Sequence, residues 1–305
     1  MHVLITGGAG YIGTALVEML SQNKAVSQID IYDNLSRANR NFFIGKNKLN
    51  STKVNFIQGE ILDSRKLKKA LKGVDVVYHL AANVTTPFSD QNPHLFEQVN
   101  HWGTAELTYA IEESDVKRLV YLSSVSVYGA SEEIYRLDDE PNPETFYGIS
   151  KLRGEEHVNR LSDKVETYVI RCGNVYGYNK SMRFDAVINR FLFEANFKGR
   201  ITVNGTGEQN RPFIHIDDAA CVLASLLDGN LAKGTYNLVD ENRAIGEVVE
   251  GLRTIYPDLE MLFVNQHMKM RELKVLPSEE LKAFFKKERL TFEEQLQEFK
   301  SYFTF

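Results

Sequence analysis

Residues 3–13 read Val3-Leu4-Ile5-Thr6-Gly7-Gly8-Ala9-Gly10-Tyr11-Ile12-Gly13, an apolar strand that runs directly into a glycine-rich loop. Gly7 and Gly10 let the backbone approach a bound pyrophosphate, and Gly13 lets the next helix, predicted over residues 14–21, pack closely on the sheet. The N-terminus of that helix faces the anion, because its free N–H groups favour negative charge. The spacing G-x-x-G-x-x-G is one residue longer than the usual dinucleotide fingerprint. This stretch predicts the first βα turn of a dinucleotide-binding sheet.

A second predicted strand, residues 29–32, ends in Asp33, which lies 20 residues after Gly13. An acid at this distance reaches the 2′-hydroxyl of an adenosine ribose. A carboxylate there repels a 2′-phosphate, so Asp33 favours NAD over NADP, whereas the nearby Arg37 weakens that inference. The alternative is that Asp33 only caps the turn of residues 33–36.

Composition limits the class of protein. The chain has 305 residues, 43% hydrophobic and 25% charged, which suits a folded globular protein with one nucleotide domain and a smaller lobe. Its net charge of −5, without a basic cluster, argues against nucleic-acid binding. Cys172 and Cys221 stand alone, which argues against a zinc site or disulfide scaffold and favours a cytoplasmic location. No apolar run approaches the ~18 residues of a membrane span, and the N-terminus is a core strand, so we expect neither membrane insertion nor a cleavable signal.

Short apolar strands alternate with helical segments in the first half of the chain, which predicts parallel βαβ units with right-handed crossovers. The predicted strands are residues 3–5, 29–32, 54–58, 74–80, 118–123 and 167–171, and the predicted helices between them are residues 14–21, 63–71, 95–114 and 147–161. We therefore predict the α/β class, with a doubly wound parallel sheet of the Rossmann type. Ligands are expected at the carboxyl ends of its strands.

The pattern changes after residue 171, where glycines and polar turns break up the chain. Helices are predicted over residues 186–197, 217–228, 246–256 and 278–287, and residues 265–276 have little regular pattern. We predict a dinucleotide-binding domain over residues 1–172. Residues 173–305 then form a smaller substrate-binding lobe that is interleaved with the last strands of the sheet.

Tyr147 and Lys151 are four residues apart, so they share one face of a predicted helix. A lysine ammonium beside the phenol is expected to lower its pKa from about 10, giving a base that can deprotonate a sugar hydroxyl. Alone, this spacing more often marks a surface helix. The sequence Ser-Ser-Val-Ser-Val-Tyr-Gly of residues 123–129 ends a strand, and a hydroxyl there can bind the same substrate oxygen. The combination predicts a catalytic site.

These motifs together resemble the extended short-chain dehydrogenase/reductases. The resemblance is carried by the glycine loop, by His79-Leu80-Ala81-Ala82, by Ser124 in Ser-Ser-x-x-Val-Tyr-Gly, and by Tyr147-x-x-x-Lys151. Within that superfamily the chain is similar to the NAD-dependent epimerase/dehydratase group, which acts on nucleotide-linked sugars. The resemblance runs from residue 1 to about residue 236.

The resemblance implies NAD as the cofactor, Ser124 and Tyr147 as the proton-transfer pair, and Lys151 as a catalytic partner. Asn100 is expected to tie its helix to the active-site strand. Glu60 stands where the family usually has Asp. The cofactor-binding residues that the resemblance implies are Gly7, Gly10, Tyr11, Ile12, Asp33, Asn34, Glu60, Ile61, Leu80, Ala81, Ala82, Asn100, Tyr147 and Lys151.

The second half of the chain carries motifs that resemble the family's nucleotide-sugar site. Asn174 lies in a motif whose Asn contacts the substrate diphosphate, and Arg211 can clamp a phosphate in a bidentate manner. Arg183 can bind sugar or phosphate, or can simply pair with Asp185. Asp217 and its neighbour Asp218 are interpreted as helix caps. The implied substrate-binding residues are Ser124, Ser126, Asn174, Arg183, Arg211 and Arg271.

Related 4,6-dehydratases carry Asp-Glu where this chain has Val125 and Ser126, so dehydration is disfavoured. Three other functional hypotheses remain. The first hypothesis is an NAD-dependent UDP-hexose 4-epimerase that works through a transient 4-keto sugar. The alternative is an NAD(P)-dependent 4-dehydrogenase or 4-ketoreductase of a nucleotide-linked deoxysugar or heptose, which the element at residues 181–185 resembles. A dinucleotide-sensing protein without turnover is disfavoured, because the catalytic residues are intact. The family resemblance implies a homodimer, and the helices predicted over residues 95–114 and 147–161 can supply its interface.

Overall fold

The computed structural model of the protein describes residues 1–38, 40–44, 49–84, 92–267 and 270–304. The strands are β1 (His2–Thr6), β2 (Gln28–Asp33), β3 (Val54–Gln58), β4 (Val76–His79), β5 (Arg118–Ser124), β6 (Ile134–Tyr135), β7 (Glu166–Cys172), β8 (Asn174–Tyr176), β9 (Arg200–Asn204), β10 (Asn210–His215), β11 (Gly234–Leu238), β12 (Glu241–Ala244), β13 (Glu260–Val264) and β14 (Lys274–Val275). The α-helices are α1 (Tyr11–Gln22), α2 (Ser64–Ala70), α3 (Pro93–Phe96), α4 (Gly103–Glu112), α5 (Phe146–Asn159), α6 (Val187–Lys198), α7 (Ile216–Ser225), α8 (Ile245–Ile255), α9 (Glu279–Lys282) and α10 (Phe292–Ser301).

The central sheet has seven strands in the order β3-β2-β1-β4-β5-β7-β11, and every pairing in it is parallel. Along β1, Val3 and Ile5 pack into one apolar cluster and Leu4 into another. The sheet is therefore buried on both faces, as parallel sheets require. The order reverses between β1 and β4, which is the point where such sheets bind ligands. The predicted Rossmann-type architecture is confirmed.

The C-terminal half adds a three-stranded sheet, β12-β10-β8, and the pair β13-β9. These elements and α6, α8 and α10 share a third apolar cluster that includes Phe191, Leu252 and Leu296. β11 returns to the central sheet beside β7. The division at residues 172/173 stays a prediction. Within the described residues, no helix has the length and apolar character that crossing a bilayer requires.

Several predicted boundaries need correction. α1 begins at Tyr11 rather than at residue 14, because the extended backbone of Gly10 forms the N-cap. The helix predicted over residues 95–114 is divided into α3, a π-helical segment at Glu97–Trp102, and α4. The strand predicted over residues 74–80 is limited to β4.

The last part of the chain differs most from the prediction. The helix predicted over residues 278–287 is only the single turn α9, and α10 was not predicted. Residues 265–276, predicted to be irregular, contain β14, which pairs with β6. A strand of two residues has no periodicity to reveal it. Residues 268 and 269 of that segment lie outside the described residues.

Candidate active site

A cavity of about 1080 Å³ opens at the carboxyl ends of the central strands. Every predicted site residue except Asn100 contributes to its wall. Residues from the glycine loop, from the ends of β2, β4 and β5, and from the C-terminal lobe all line it. The motifs therefore meet in one space, at the edge where a parallel sheet presents its ligand-binding loops.

The glycine loop forms a narrow part of this wall. Gly7 has a φ of +72°, and a Cβ there would lie 2.6 Å from the amide nitrogen of Ala81. A Cβ on Gly13 would lie 2.5 Å from the carbonyl oxygen of Gly7. Both glycines are therefore required for the close approach of the loop to β4 and α1. Gly10 precedes α1 without a side-chain cap, which leaves the helix N-terminus open to an anion.

Asp33 lies between the glycine loop and the turn that follows β2. Its carboxylate accepts hydrogen bonds from the backbone N–H groups of Ala9 at 3.1 Å and of Leu35 at 2.8 Å. Burial raises the pKa of Asp33, and these two hydrogen bonds oppose that change. The predicted turn cap is present, and the same carboxylate faces the loop. Asn34 donates to the carboxylate of Glu60 at 2.9 Å, so these two predicted cofactor residues are in contact.

The predicted catalytic residues come from β5 and α5. Ser124 ends β5, and its side chain hydrogen-bonds the phenol of Tyr147. The hydroxyl of Ser124 also donates to that of Ser126 at 3.1 Å. Thr145 begins α5 as its N-cap, accepting a hydrogen bond from the backbone N–H of Gly148 at 2.9 Å. The helix start therefore fixes where Tyr147 meets Ser124.

The pKa of Tyr147 is raised, chiefly by burial, whereas the Ser124 hydrogen bond and the positive charge of Arg183 oppose the rise. The expectation that Lys151 lowers this pKa is wrong here, since burial outweighs the charges around the phenol. The ammonium of Lys151 lies 4.4 Å above the ring centroid of Tyr121. Burial lowers the pKa of Lys151 itself to about 7, although the charge of Glu155 opposes the change.

Asn100 lies in the π-helical segment and is fully buried. Its side-chain oxygen accepts from the backbone N–H of Asn83 at 2.7 Å, and its amide donates to the hydroxyl of Ser150 at 3.0 Å. The prediction that Asn100 ties its helix to the active-site strand is wrong. The wider π turn directs this side chain to the loop after β4 and to α5 instead. Asn100 supports α5 from behind the cavity wall.

A buried ion pair beneath the catalytic residues was not predicted. Glu155 and Arg171 approach to 2.8 Å, and Arg171 also donates to the phenol of Tyr128 at 2.9 Å. Ser123 donates to the same carboxylate. The sequence carries one indication, because Glu155 follows Lys151 by four residues on the same helix face. Its partner is on β7, and no local pattern reveals that pairing.

Arginines line the other half of the cavity. Arg211 is held by the backbone oxygens of Asn210, at 2.7 Å, and of Arg271. Burial, together with the charge of Arg271, lowers the pKa of Arg211 to about 10. Arg183 forms a bidentate pair with Asp185, at 2.7 and 3.1 Å. Asn174, at the start of β8, donates to the backbone oxygen of Pro212 at 3.0 Å. This part of the wall suits an anionic ligand.

A further arginine in this wall was not predicted. Arg190 lies on α6, within the helix predicted over residues 186–197, and no motif in the sequence selects it. Its Nε is buried and has no hydrogen-bond partner among the described residues.

The family model described as the NAD dependent epimerase/dehydratase family matches residues 3–238. The chain belongs to this family. Its members are NAD-dependent enzymes of the extended short-chain dehydrogenase/reductase type, so the predicted superfamily and cofactor are confirmed.

Known relatives span more than one reaction. A UDP-glucose 4-epimerase from Mycolicibacterium smegmatis is 31% identical over 230 residues, covering 72% of this chain and 70% of that protein. A dTDP-D-glucose 4,6-dehydratase from Bos taurus is 30% identical over 245 residues, covering 78% of this chain and 67% of that protein. The structure of MoeE5 in complex with UDP-glucose and NAD is 25% identical with a TM-score of 0.81, covering 99% of this chain and 98% of that chain. The family is thus established, and the relatives include both epimerases and dehydratases.

The residues of this chain fit the NAD that the family uses. The glycine loop leaves no room for a Cβ at Gly7. A backbone without a side chain at this position lets a pyrophosphate approach it closely. The carboxylate of Asp33 stands at the end of β2 beside that loop. Leu80, Ala82 and Tyr147 line the same cavity, and apolar side chains there suit a nicotinamide ring.

Proposed function

We propose that this chain is an NAD-dependent nucleotide-sugar epimerase that inverts C4 of a UDP-hexose through a transient 4-keto sugar. The observation that carries the proposal is the meeting of Ser124 and Tyr147 in a cavity shared by the glycine loop and several arginines. This arrangement places a proton acceptor between a dinucleotide site and an anion site. The nucleotide is taken as UDP because the M. smegmatis relative is a UDP-glucose 4-epimerase and MoeE5 binds UDP-glucose.

Tyr147 takes the proton of the C4 hydroxyl, and Ser124 holds the same oxygen by a hydrogen bond. NAD, when bound, would supply the hydride acceptor and donor for C4, and the 4-keto sugar would have to turn over in the cavity for its other face to be reduced. Because burial raises the pKa of Tyr147, loss of its proton depends on stabilisation of the phenolate. The Ser124 hydrogen bond and the charge of Arg183 provide this stabilisation. The same phenol later returns the proton to the inverted alcohol.

The anion site holds the diphosphate of the substrate. Arg211 is fixed by two backbone oxygens, so its guanidinium is positioned before a ligand arrives. A planar guanidinium can bind two phosphate oxygens at once. Asn174, Arg183 and Arg271 lie on the same wall and are the further candidates.

Dehydration is not favoured in this cavity. Val125 and Ser126, in the turn after Ser124, offer no carboxyl group where related dehydratases carry an acid. The alternative is a 4-dehydrogenase or 4-ketoreductase of a nucleotide-linked deoxysugar or heptose, which would transfer hydride once and exchange its cofactor after each turnover.

Incubation with UDP-glucose or UDP-galactose and substoichiometric NAD tests the proposal, with the product assigned by NMR. A mixture of the two C4 epimers is expected, and Tyr147→Phe should form it at least about 10³-fold more slowly. A keto sugar with one NADH per product would support the dehydrogenase. Absence of any turnover with UDP-, dTDP-, GDP- and CDP-sugars would contradict an enzymatic role for this site.

We also propose a homodimer, formed by α4, α5 and the segments next to them. Exposed apolar side chains on these elements support this: Leu95, Trp102, Tyr109 and Phe146 are each at least 40% exposed. Aromatic residues are enriched in protein interfaces relative to the rest of the surface. Light scattering on the purified protein tests the dimer. The cytoplasmic location stays a prediction.

A further inference from the structure

Asn189 on α6 is fully buried, and the reaction described above does not use it. Its side-chain oxygen accepts a hydrogen bond from the backbone N–H of Gly177 at 3.1 Å. Its amide donates to the backbone oxygen of Arg183 at 3.0 Å and to the phenol oxygen of Tyr11 at 3.3 Å. An amide side chain has two donor hydrogens, so both are used here. One buried residue thus joins three separate segments of the chain.

Tyr11 brings the glycine loop into this contact. Its phenol donates to the backbone oxygen of Gly177 at 2.5 Å, and its side chain is 7% exposed. Burial raises the pKa of Tyr11, so the phenol keeps its proton and remains a donor. Tyr11 directly follows Gly10, the N-cap of α1, in the glycine loop that is proposed to bind the pyrophosphate. Tyr11 therefore connects the glycine loop directly to the backbone of Gly177.

The backbone of Gly177 leaves no space for a side chain. Its φ is +115°, and a Cβ there would lie 2.5 Å from Nε2 of His215. A second contact lies three residues further along α1, where the hydroxyls of Thr14 and Ser181 are 2.8 Å apart. The segment that leads to Arg183 is thus attached to α1 at two points, and both are buried. Arg183 then lines the cavity beside the anion site.

We propose that Asn189 is a positioning residue that links the glycine loop to the backbone of Arg183, so that NAD and the nucleoside diphosphate bind with positive cooperativity. The four residues Tyr11, Gly177, Arg183 and Asn189 form what we call the loop–lobe junction. This inference rests on the proposed function, since Arg183 is taken to face the nucleotide sugar. A ligand that orders one side of the junction lowers the cost of ordering the other side. The effect is reciprocal: each ligand raises the affinity for the other by the same factor.

Isothermal titration of NAD into the protein, without and with saturating UDP, measures this coupling. In the wild-type protein, UDP should tighten NAD binding by about 5-fold or more. Tyr11→Phe removes the phenol that joins the loop to Gly177 and Asn189, and Asn189→Leu removes the amide at similar volume. Either change should reduce the factor to below about 2-fold. Titration of UDP without and with NAD must give the same factor in each protein.

Tyr168→Phe is the matched control, because it also removes a phenol that donates to a backbone oxygen, that of Leu231 at 2.9 Å, and neither residue belongs to the loop–lobe junction. It should keep the wild-type coupling. If thermal unfolding shows that Asn189→Leu does not fold, the coupling measured in Tyr11→Phe tests the inference by itself. Unchanged coupling in Tyr11→Phe would overturn the inference, as would a wild-type protein whose NAD affinity responds to neither UDP nor dTDP. Coupling without epimerisation would contradict only the proposed function.

Discussion

Lys151→Met is expected to make the protein more stable while abolishing turnover. Lys151 is 2% exposed, and burial lowers its pKa from 10.5 to about 7. At about 1.4 kcal/mol for each pH unit, this corresponds to a penalty of about 5 kcal/mol for the buried ammonium below neutral pH. Relaxation and entry of water reduce such penalties, so a gain of about 2 to 5 kcal/mol is expected. Methionine keeps the length of the side chain and is flexible enough to fill the space.

The pH dependence identifies the cause. In the unfolded chain, Lys151 stays protonated until about pH 10.5, whereas in the folded protein it loses its proton near pH 7. Between these values the unfolded state binds more protons, so the contribution of Lys151 to wild-type stability rises with pH. The difference between Lys151→Met and the wild type should therefore be largest below about pH 7 and vanish above about pH 10.5.

Thermal and urea unfolding of the two proteins, without added nucleotide, measures this difference. For a chain of this size, about 2 °C in Tm corresponds to 1 kcal/mol, so Tm at pH 7 should rise by about 4 °C or more. Lys164→Met is the control, since that lysine is 62% exposed and pairs only with Glu112 among the ion pairs of the described residues. It should change stability by less than about 0.5 kcal/mol. A less stable Lys151→Met protein, or a difference that does not vary with pH, would refute the reasoning.

Three other substitutions test the catalytic phenol, the buried ion pair and the glycine loop. Tyr147→Phe should lower kcat by about 10³-fold or more without loss of NAD binding in a titration, because only the proton acceptor is removed; equal loss of both would point to a structural role. Glu155→Gln should lower the free energy of unfolding by about 3 kcal/mol in urea, because it leaves the buried charge of Arg171 without its partner; a neutral change would contradict this. Gly13→Ala should abolish NAD binding, because its Cβ would lie 2.5 Å from the carbonyl oxygen of Gly7; normal affinity would show that the loop can adapt.

The sequence predicted the central sheet and most of the wall of the cavity. Residues 3–13 place a glycine-rich loop directly between an apolar strand and a helix, and strands alternate with helices through residue 171. Strand ends converge on one edge in a parallel sheet, so motifs at the ends of β1, β2, β4 and β5 had to meet there. These parts depend on local patterns and on one topological rule.

The remaining features depend on contacts between distant residues. The π turn that redirects Asn100, the pairing of Glu155 with Arg171, and the contact of Tyr11 with Asn189 join elements far apart in the chain. The pKa of Tyr147 was predicted in the wrong direction because burial, which raises it, outweighs the charges around the phenol. Local spacing can place two side chains on one helix face, but it cannot show how far the folded protein buries them from solvent.

A UDP-hexose labelled with deuterium at C4 tests the central claim most directly. An epimerase that keeps the reduced cofactor in place returns the label to the same carbon. We therefore predict that both C4 epimers retain deuterium at C4 and that no reduced cofactor accumulates in solution. Deuterium recovered in free NADH together with a 4-keto sugar would contradict the account and identify the protein as a dehydrogenase.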